Sequence, residues 1–167
     1  MRALDAFVDR LAAHGVGLEF VFDGMHAAEK EGTHMQRLKA RLAAVRALQK
    51  GDTVTDGLPR SLVLTSAVKA HLVARAGVAV VQASYEADRA IARRCGILTA
   101  AGAPCGVVSN DSDFLCFEVP FMVPPWRLEL AGDGRPSARV LRRDAVAKTL
   151  RIHPQAMTTL ACLAGND

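Results

Sequence analysis

The chain has 167 residues, enough for one domain. Half of them are hydrophobic and 23% are charged, which excludes a disordered chain and supplies a sizeable core. The balance of 21 Lys and Arg against 17 Asp and Glu gives a net charge of +4, compatible with a polyanionic partner without requiring one.

The opening stretch MRALDAFVDRLAAHG carries acids and alternates polar with apolar residues. It reads as an amphipathic helix over 2–14, with Leu4, Phe7, Val8 and Leu11 on one face, and not as a signal peptide. Leu18 to Phe22 reads as a strand ending at Asp23-Gly24, and a long helical stretch follows from Ala28 to Lys50. Residues 51–59, GDTVTDGLP, are a turn-rich break. Ser61 to Ala76 reads as helix with Gly77 closing it. Val78 to Val81 is a short β-branched run typical of a buried strand. Ser84 is expected to cap a helix running to about Ala101. Gly106 to Ser109 reads as another buried strand, Phe114 to Val119 as a short one, and 141–150 and 154–163 as two short helices. Every apolar run is broken by charge or Gly well short of the ~20 residues of a membrane span. Strands alternating with helices predict an α/β domain with a mainly parallel sheet, whose ligands gather at the carboxyl ends of the strands.

Acids stand at those ends. Asp23 follows the first strand, Glu86 and Asp88 the second, Asp111 and Asp113 the third, and Asp167 ends the chain. Singly, each has an ordinary structural reading: Asp23 as a turn former, Glu86 and Asp88 at the positive end of a helix, Asp111 and Asp113 in an Asx turn. Gathered at one edge they repel by a few kcal/mol per close pair at an effective dielectric of ~20. A cation or protonation must offset that repulsion. Oxygen ligands with no His or Cys among them favour Mg²⁺ or Mn²⁺, and two such ions form the usual device for cleaving a phosphodiester. Competing acidic motifs fail. A calcium loop starting at Asp111 needs Gly where Cys116 stands and Glu where Met122 stands, and an Asp nucleophile at Asp23 lacks its second acid because Met25 occupies that place. Neither a Walker A nor a GxGxxG motif occurs.

The segments Phe22-Asp23-Gly24, Glu86-Ala87-Asp88, Ser109-Asn110-Asp111-Ser112-Asp113-Phe114 and Leu163-Ala164-Gly165-Asn166-Asp167 resemble, in order and spacing, the flap-endonuclease/XPG superfamily of PIN-like nucleases. The SNDSDF form and the closing GND are most similar to the asteroid branch and its XPG-I region. The resemblance runs from about residue 7 to the last residue. It implies a three-layer α/β PIN-like (5′-nuclease) fold and a Mg²⁺-dependent, structure-specific nuclease. Asp23, Glu86, Asp88, Asp111, Asp113 and Asp167 would hold the ions, and the first five would serve catalysis. Relatives begin with a further strand and an early metal-binding Asp that nothing here matches, so the expectation is an internal fragment incomplete at the N-terminus. The substrate expected is DNA before RNA, in an intracellular and by resemblance nuclear protein. The alternative is a catalytically inactive asteroid-like adaptor of the same fold.

Residues 28–59 read as a basic helical insertion within a single domain over 1–167. On a helical wheel Met35, Leu38, Leu42 and Val45 share a face. Lys30, Arg37 and Arg41 line one edge of it, and Lys39, Arg46 and Lys50 the other. In the resembling nucleases this stretch forms an arch, which makes Lys30, Arg37 and Arg41 the candidates for phosphate contact. The plain alternative is an amphipathic helix with cations snorkelling around a core stripe. Tyr85, beside Glu86, is expected to pack, and Trp126 in Pro124-Pro125-Trp126 to anchor a loop. Cys95, Cys105, Cys116 and Cys162 form no CxxC and read as buried free thiols of a reducing compartment.

Overall fold

The computed structural model describes residues 1–25, 31–51, 62–130 and 135–164. Lys30, Asp167 and the opening of the long basic helix therefore lie outside the described residues. The elements in chain order are α1 (Arg2–Ala13), β1 (Leu18–Phe22), α2 (Glu31–Gln49), α3 (Leu62–Val73), β2 (Val78–Gln82), α4 (Ala87–Ala100), β3 (Val107–Val108), β4 (Met122–Val123), β5 (Leu128–Leu130), β6 (Pro136–Ala138), α5 (Arg143–Leu150) and α6 (Ala156–Ala164).

The amphipathic reading of α1 holds. Val8 and Leu11 are buried, and Leu4 and Phe7 are half-buried. The helix stops where the Leu11 carbonyl accepts from both the His14 and Val16 N–H groups, with Gly15 at φ +73° between them. An ionic cluster ties it to the end of α3: His71 Nε2 lies 2.6 Å and Arg75 Nη1 2.5 Å from Asp5 Oδ1, and Arg75 Nη2 also donates to Asp9. The hydrogen bond from His71 and the charges of His71 and Arg75 hold the Asp5 carboxyl below its ordinary value. α3 ends at Val73, earlier than its apolar pattern predicts, and Gly77 (φ +78°) instead forms the turn into β2.

β1 and β2 pair in parallel, Leu18 against Val78 through Phe22 against Gln82. β3 and β4 also pair in parallel, Val107 with Met122 and Val108 with Val123. β5 and β6 form an antiparallel ribbon. The α/β class and the parallel pairing agree with expectation. The single central sheet does not: among the described residues the six strands form three two-stranded sheets. An apolar run marks a strand but does not fix which strand lies beside it.

The expected strand over 114–119 is a further difference. Residues Ser112–Leu115 form a 3₁₀ turn inside the crossover between the parallel strands β3 and β4. A short apolar run does not separate the two conformations; burial of Phe114 decides. That side chain is fully buried with Cys95, Val107, Val119 and Met122 in the main core cluster, against Ile91, Ala92 and Phe117. Its burial contributes about 2–3 kcal/mol.

Two expectations about exposure are overturned. Met35, Leu38, Leu42 and Val45 are exposed along α2, so they are not a core stripe. Of the four thiols, Cys95 is buried, Cys105 and Cys116 are half-buried and Cys162 is exposed; all are free. Among the described residues no helix is long and apolar enough to cross a membrane.

Candidate metal centre

The acids come from the carboxyl ends of β1 and β3, which lie in two different sheets, and from the start of α4. Asp23 directly follows β1. The next residue, Gly24, donates its N–H to the Tyr85 carbonyl at 2.6 Å, and Met25 N–H donates to Ser84 O at 3.0 Å. The approach is close: a Cβ on Gly24 would overlap the Ala83 carbonyl oxygen and sit 2.5 Å from that of Ser84. Glycine is thus the residue that lets the β1 terminus lie on the loop leading to α4.

The expected cap at Ser84 is not formed. The N-cap position of α4 is Glu86, with no cap bond from its own side chain. Asp23 supplies one from another segment, its Oδ1 accepting from Ala87 N–H at 2.9 Å. This satisfies an orphan amide and places the carboxylate at the positive end of the helix. The reading of Asp23 as a local turn former is replaced by a tertiary one. Gln82, which carries no signal in the sequence, donates through Nε2 to the Asp23 carbonyl and accepts from Lys69 Nζ. Lys69 in turn lies 5.9 Å over the Phe22 ring.

The third segment is fixed by its own side chains. Asp111 Oδ1 accepts from Asp113 N–H at 2.9 Å, and Ser109 Oγ accepts from Asp111 N–H at 3.0 Å. Asp111 is the N-cap of the 3₁₀ turn, as an Asx turn would have it. Buried Phe114 pins the turn from below. Thr158 Oγ1 donates to the Cys116 carbonyl at 3.0 Å, so α6 supports it from behind.

Asp88 sits in the first turn of α4, half-buried, and registers the convergence. Its carboxyl is raised above the ordinary 3.8, first by burial and then by the charges of Asp111, Asp23, Glu86 and Asp113. Four carboxylates from three chain segments therefore act on the fifth. Asp23 and Asp111 are exposed, while Glu86 and Asp113 are half-buried. Arg89 Nε lies 3.8 Å from Glu86 Oε2. Among the described residues no three His, Cys, Asp or Glu side chains close on a common point tightly enough to hold an ion. The donor chemistry nevertheless suits a hard divalent cation: all the candidate donor atoms are carboxylate oxygens, and their mutual repulsion is what such a charge would offset.

Since its folded-state pKa is raised, Asp88 favours the fold while neutral. That contribution is complete below about pH 3.8 and is lost as pH rises through the raised value. In chelator at neutral pH, Asp88→Asn is therefore expected to raise the thermal midpoint by roughly 1–3 °C, the scale of a partly screened charge interaction. The gain should vanish below about pH 3.8, as a pH series of melts would show.

Of the proposed phosphate contacts, Arg37 and Arg41 are exposed on α2. Among the described residues neither is hydrogen-bonded or ion-paired to the carboxylates. Tyr85 is 57% exposed beside Glu86 and is not packed as expected.

Residues 77–167, more than half of the chain, match the XPG I-region family. The chain is also 28% identical over 174 aligned positions to flap endonuclease 1 of Cryptosporidium muris (strain RN66), covering 95% of this chain and 36% of that protein. It thus spans about a third of the length of the curated relative it matches.

Proposed function

The chain belongs to the XPG I-region family, and on that premise we propose that it is a metal-dependent, structure-specific endonuclease domain that hydrolyses phosphodiester bonds of DNA, and secondarily of RNA, by a two-metal mechanism. The observation that carries this reading is the placement of the acids: Asp23 Oδ1 is bonded to the Ala87 amide at the start of α4, between Glu86 and Asp88, and the charges of Asp111, Asp23, Glu86 and Asp113 all act on the half-buried Asp88 carboxyl. Helix and turn capping account for Asp23 and Asp111, but not for the charges of Glu86 and Asp113 beside Asp88.

In this reading Asp111, Asp113, Asp88, Glu86 and Asp23 hold Mg²⁺ or Mn²⁺, two ions in all, with Asp167 joining from the end of the chain. Divalent ions supply Lewis-acid charge for the phosphate and lower the pKa of water at the site. The chain's own residues position everything else. Asp23 is locked to the α4 terminus, Asp111 and Asp113 are locked to each other through the turn, and Asp88 rides on the first turn of the helix. On this reading the basic arch of the 5′-nuclease fold that the family implies falls to the 28–59 segment, of which residues 31–51 are described. In its described part, α2 carries Arg37, Lys39, Arg41 and Arg46 with Glu31 as its acid. Arg37 and Arg41, with Lys30, steer the phosphate toward the carboxylates. An intracellular, nuclear protein follows from the same reading, and the finer likeness is to the asteroid branch.

Calorimetric titration with Mn²⁺ tests the centre directly. The wild-type chain should bind Mn²⁺, and an Asp111→Asn/Asp113→Asn double variant should lose that binding while keeping its far-UV circular dichroism. A folded wild-type chain that binds no Mn²⁺ would instead indicate a non-catalytic nucleic-acid-binding or adaptor module.

A further inference from the structure

A second feature follows β4, the strand paired with the one that leads to Asp111 and Asp113. β3 and β4 are parallel, so their carboxyl ends meet at one edge, and Ser109 N–H donates to the Val123 carbonyl at 3.2 Å. The chain leaving β3 reaches Asp111 and Asp113 within a few residues. The chain leaving β4 reaches Pro124-Pro125-Trp126-Arg127 just as soon. There Pro124, Trp126, Arg127, Arg139, Val140 and Leu141 line an open groove of about 350 Å³.

The groove is built, not incidental. Arg127 N–H donates to the Pro124 carbonyl at 2.8 Å, closing a tight turn. Leu141 and Met122 exchange two backbone bonds of 2.7 and 2.8 Å, which clamp the far wall to β4. Trp126 does not anchor a loop: its side chain is 66% exposed. Arg127 and Arg139 extend the β5–β6 register directly opposite one another, and Arg139 N–H donates to the Arg127 carbonyl at 3.1 Å. Like charges directly opposite on an antiparallel ribbon repel. Among the described residues neither guanidinium has a hydrogen-bond or ion-pair partner. An exposed indole beside two guanidinium groups, in a groove also lined by Pro124, Val140 and Leu141, suits a ligand that is aromatic at one end and anionic at the other.

We infer that this groove holds an unpaired nucleotide of a nucleic-acid strand whose backbone continues to the carboxylate edge, its base stacked on Trp126 and its phosphate between Arg127 and Arg139. The inference rests on the phosphodiesterase reading for the identity of the ligand, and on the groove alone for its chemistry. Base stacking on an exposed aromatic tolerates any sequence, as a strand-positioning contact requires.

Trp126 is the single tryptophan of the chain, so its emission reports on the groove alone. Titration of the chain in chelator with a ten-nucleotide oligothymidylate should quench that emission at the concentrations where the labelled oligomer's anisotropy rises. Trp126→Ala should weaken binding about tenfold, and Trp126→Phe should retain most of it. Arg127→Ala/Arg139→Ala should weaken it and lower the logarithmic salt slope by about one. Thymidine monophosphate at millimolar concentration should quench little.

Oligomer binding with no quenching and no change in Trp126→Ala overturns the inference, as does absence of oligomer binding. Equal quenching by the mononucleotide overturns the strand assignment in favour of a small-nucleotide site. Mg²⁺-dependent cleavage of the same oligomer, measured alongside, separates the two readings. Cleavage without quenching removes the groove and leaves the nuclease, whereas quenching without cleavage does the reverse.

Discussion

Asp113→Asn is expected to lower Mg²⁺-dependent DNA cleavage by roughly 10²–10³-fold or more, the loss typical when one charge-stabilising group is removed from a catalytic centre. The local turn should persist. The turn that presents Asp113 is held by its backbone N–H on Asp111 Oδ1 and by the Cys116 N–H on the Asp113 carbonyl at 2.8 Å, and neither bond uses the Asp113 side-chain charge. Phe114, the packing anchor, is untouched. Removing the charge also relieves one of the repulsions that raise Asp88, so the variant should melt no lower than wild type in chelator. Initial cleavage rates measured beside thermal melts check both halves. Wild-type rates in the variant would contradict the carboxylate reading, and a collapsed melt would mean that Asp113 is structural.

The second large effect is on the fold. Gly24→Ala should destabilise by roughly 2–4 kcal/mol, the range of an overpacked contact with a lost hydrogen bond. The added methyl would overlap the Ala83 carbonyl oxygen, a backbone atom that no rotamer change can move. To relieve it, the β1 terminus must lift off the 83–85 loop and give up its bonds to Tyr85 and Ser84. Asp23 would move with it and release the α4 amide at Ala87. Mn²⁺ binding should therefore weaken together with stability. Gly96→Ala is the control: it lies in α4 with open space around the new methyl, and should be neutral or stabilising by up to about 1 kcal/mol. Denaturant melts of the two variants side by side decide the matter, since equal behaviour would mean that the contact at Gly24 is not tight.

How much of the site could be read in advance differs from acid to acid. Asp111 and Asp113 are legible because their geometry is local: an Asx turn needs only residues two apart in sequence, and it forms as expected. Asp23 is legible as an acid after a strand, but not in its structural role. Its partner is the amide of Ala87, 64 residues away, and a distance of that kind leaves no trace in spacing. The same holds for Gln82 and Lys69, which brace Asp23 and would pass as ordinary polar residues. Ser84 looked like the cap of α4 because it has the right chemistry near the right place. A carboxylate arriving from β1 supplies the cap bond instead, and the helix begins two residues later, with Glu86 at the N-cap position.

By itself the sequence determined the local elements: the amphipathic α1, the parallel-type strands β1 and β2, the helix α4 and the order of the acids along the chain. Those follow from side-chain periodicity and turn chemistry, which act over a few residues. Which strands pair, that Phe114 is buried from within a 3₁₀ turn over Ser112–Leu115, and that the apolar positions of α2 are exposed came only with the fold. The fold also places Trp126 and two opposed arginines around one groove beyond the end of β4. Burial, strand pairing and charge repulsion depend on neighbours distant in sequence, and a single chain of letters carries no direct record of those neighbours.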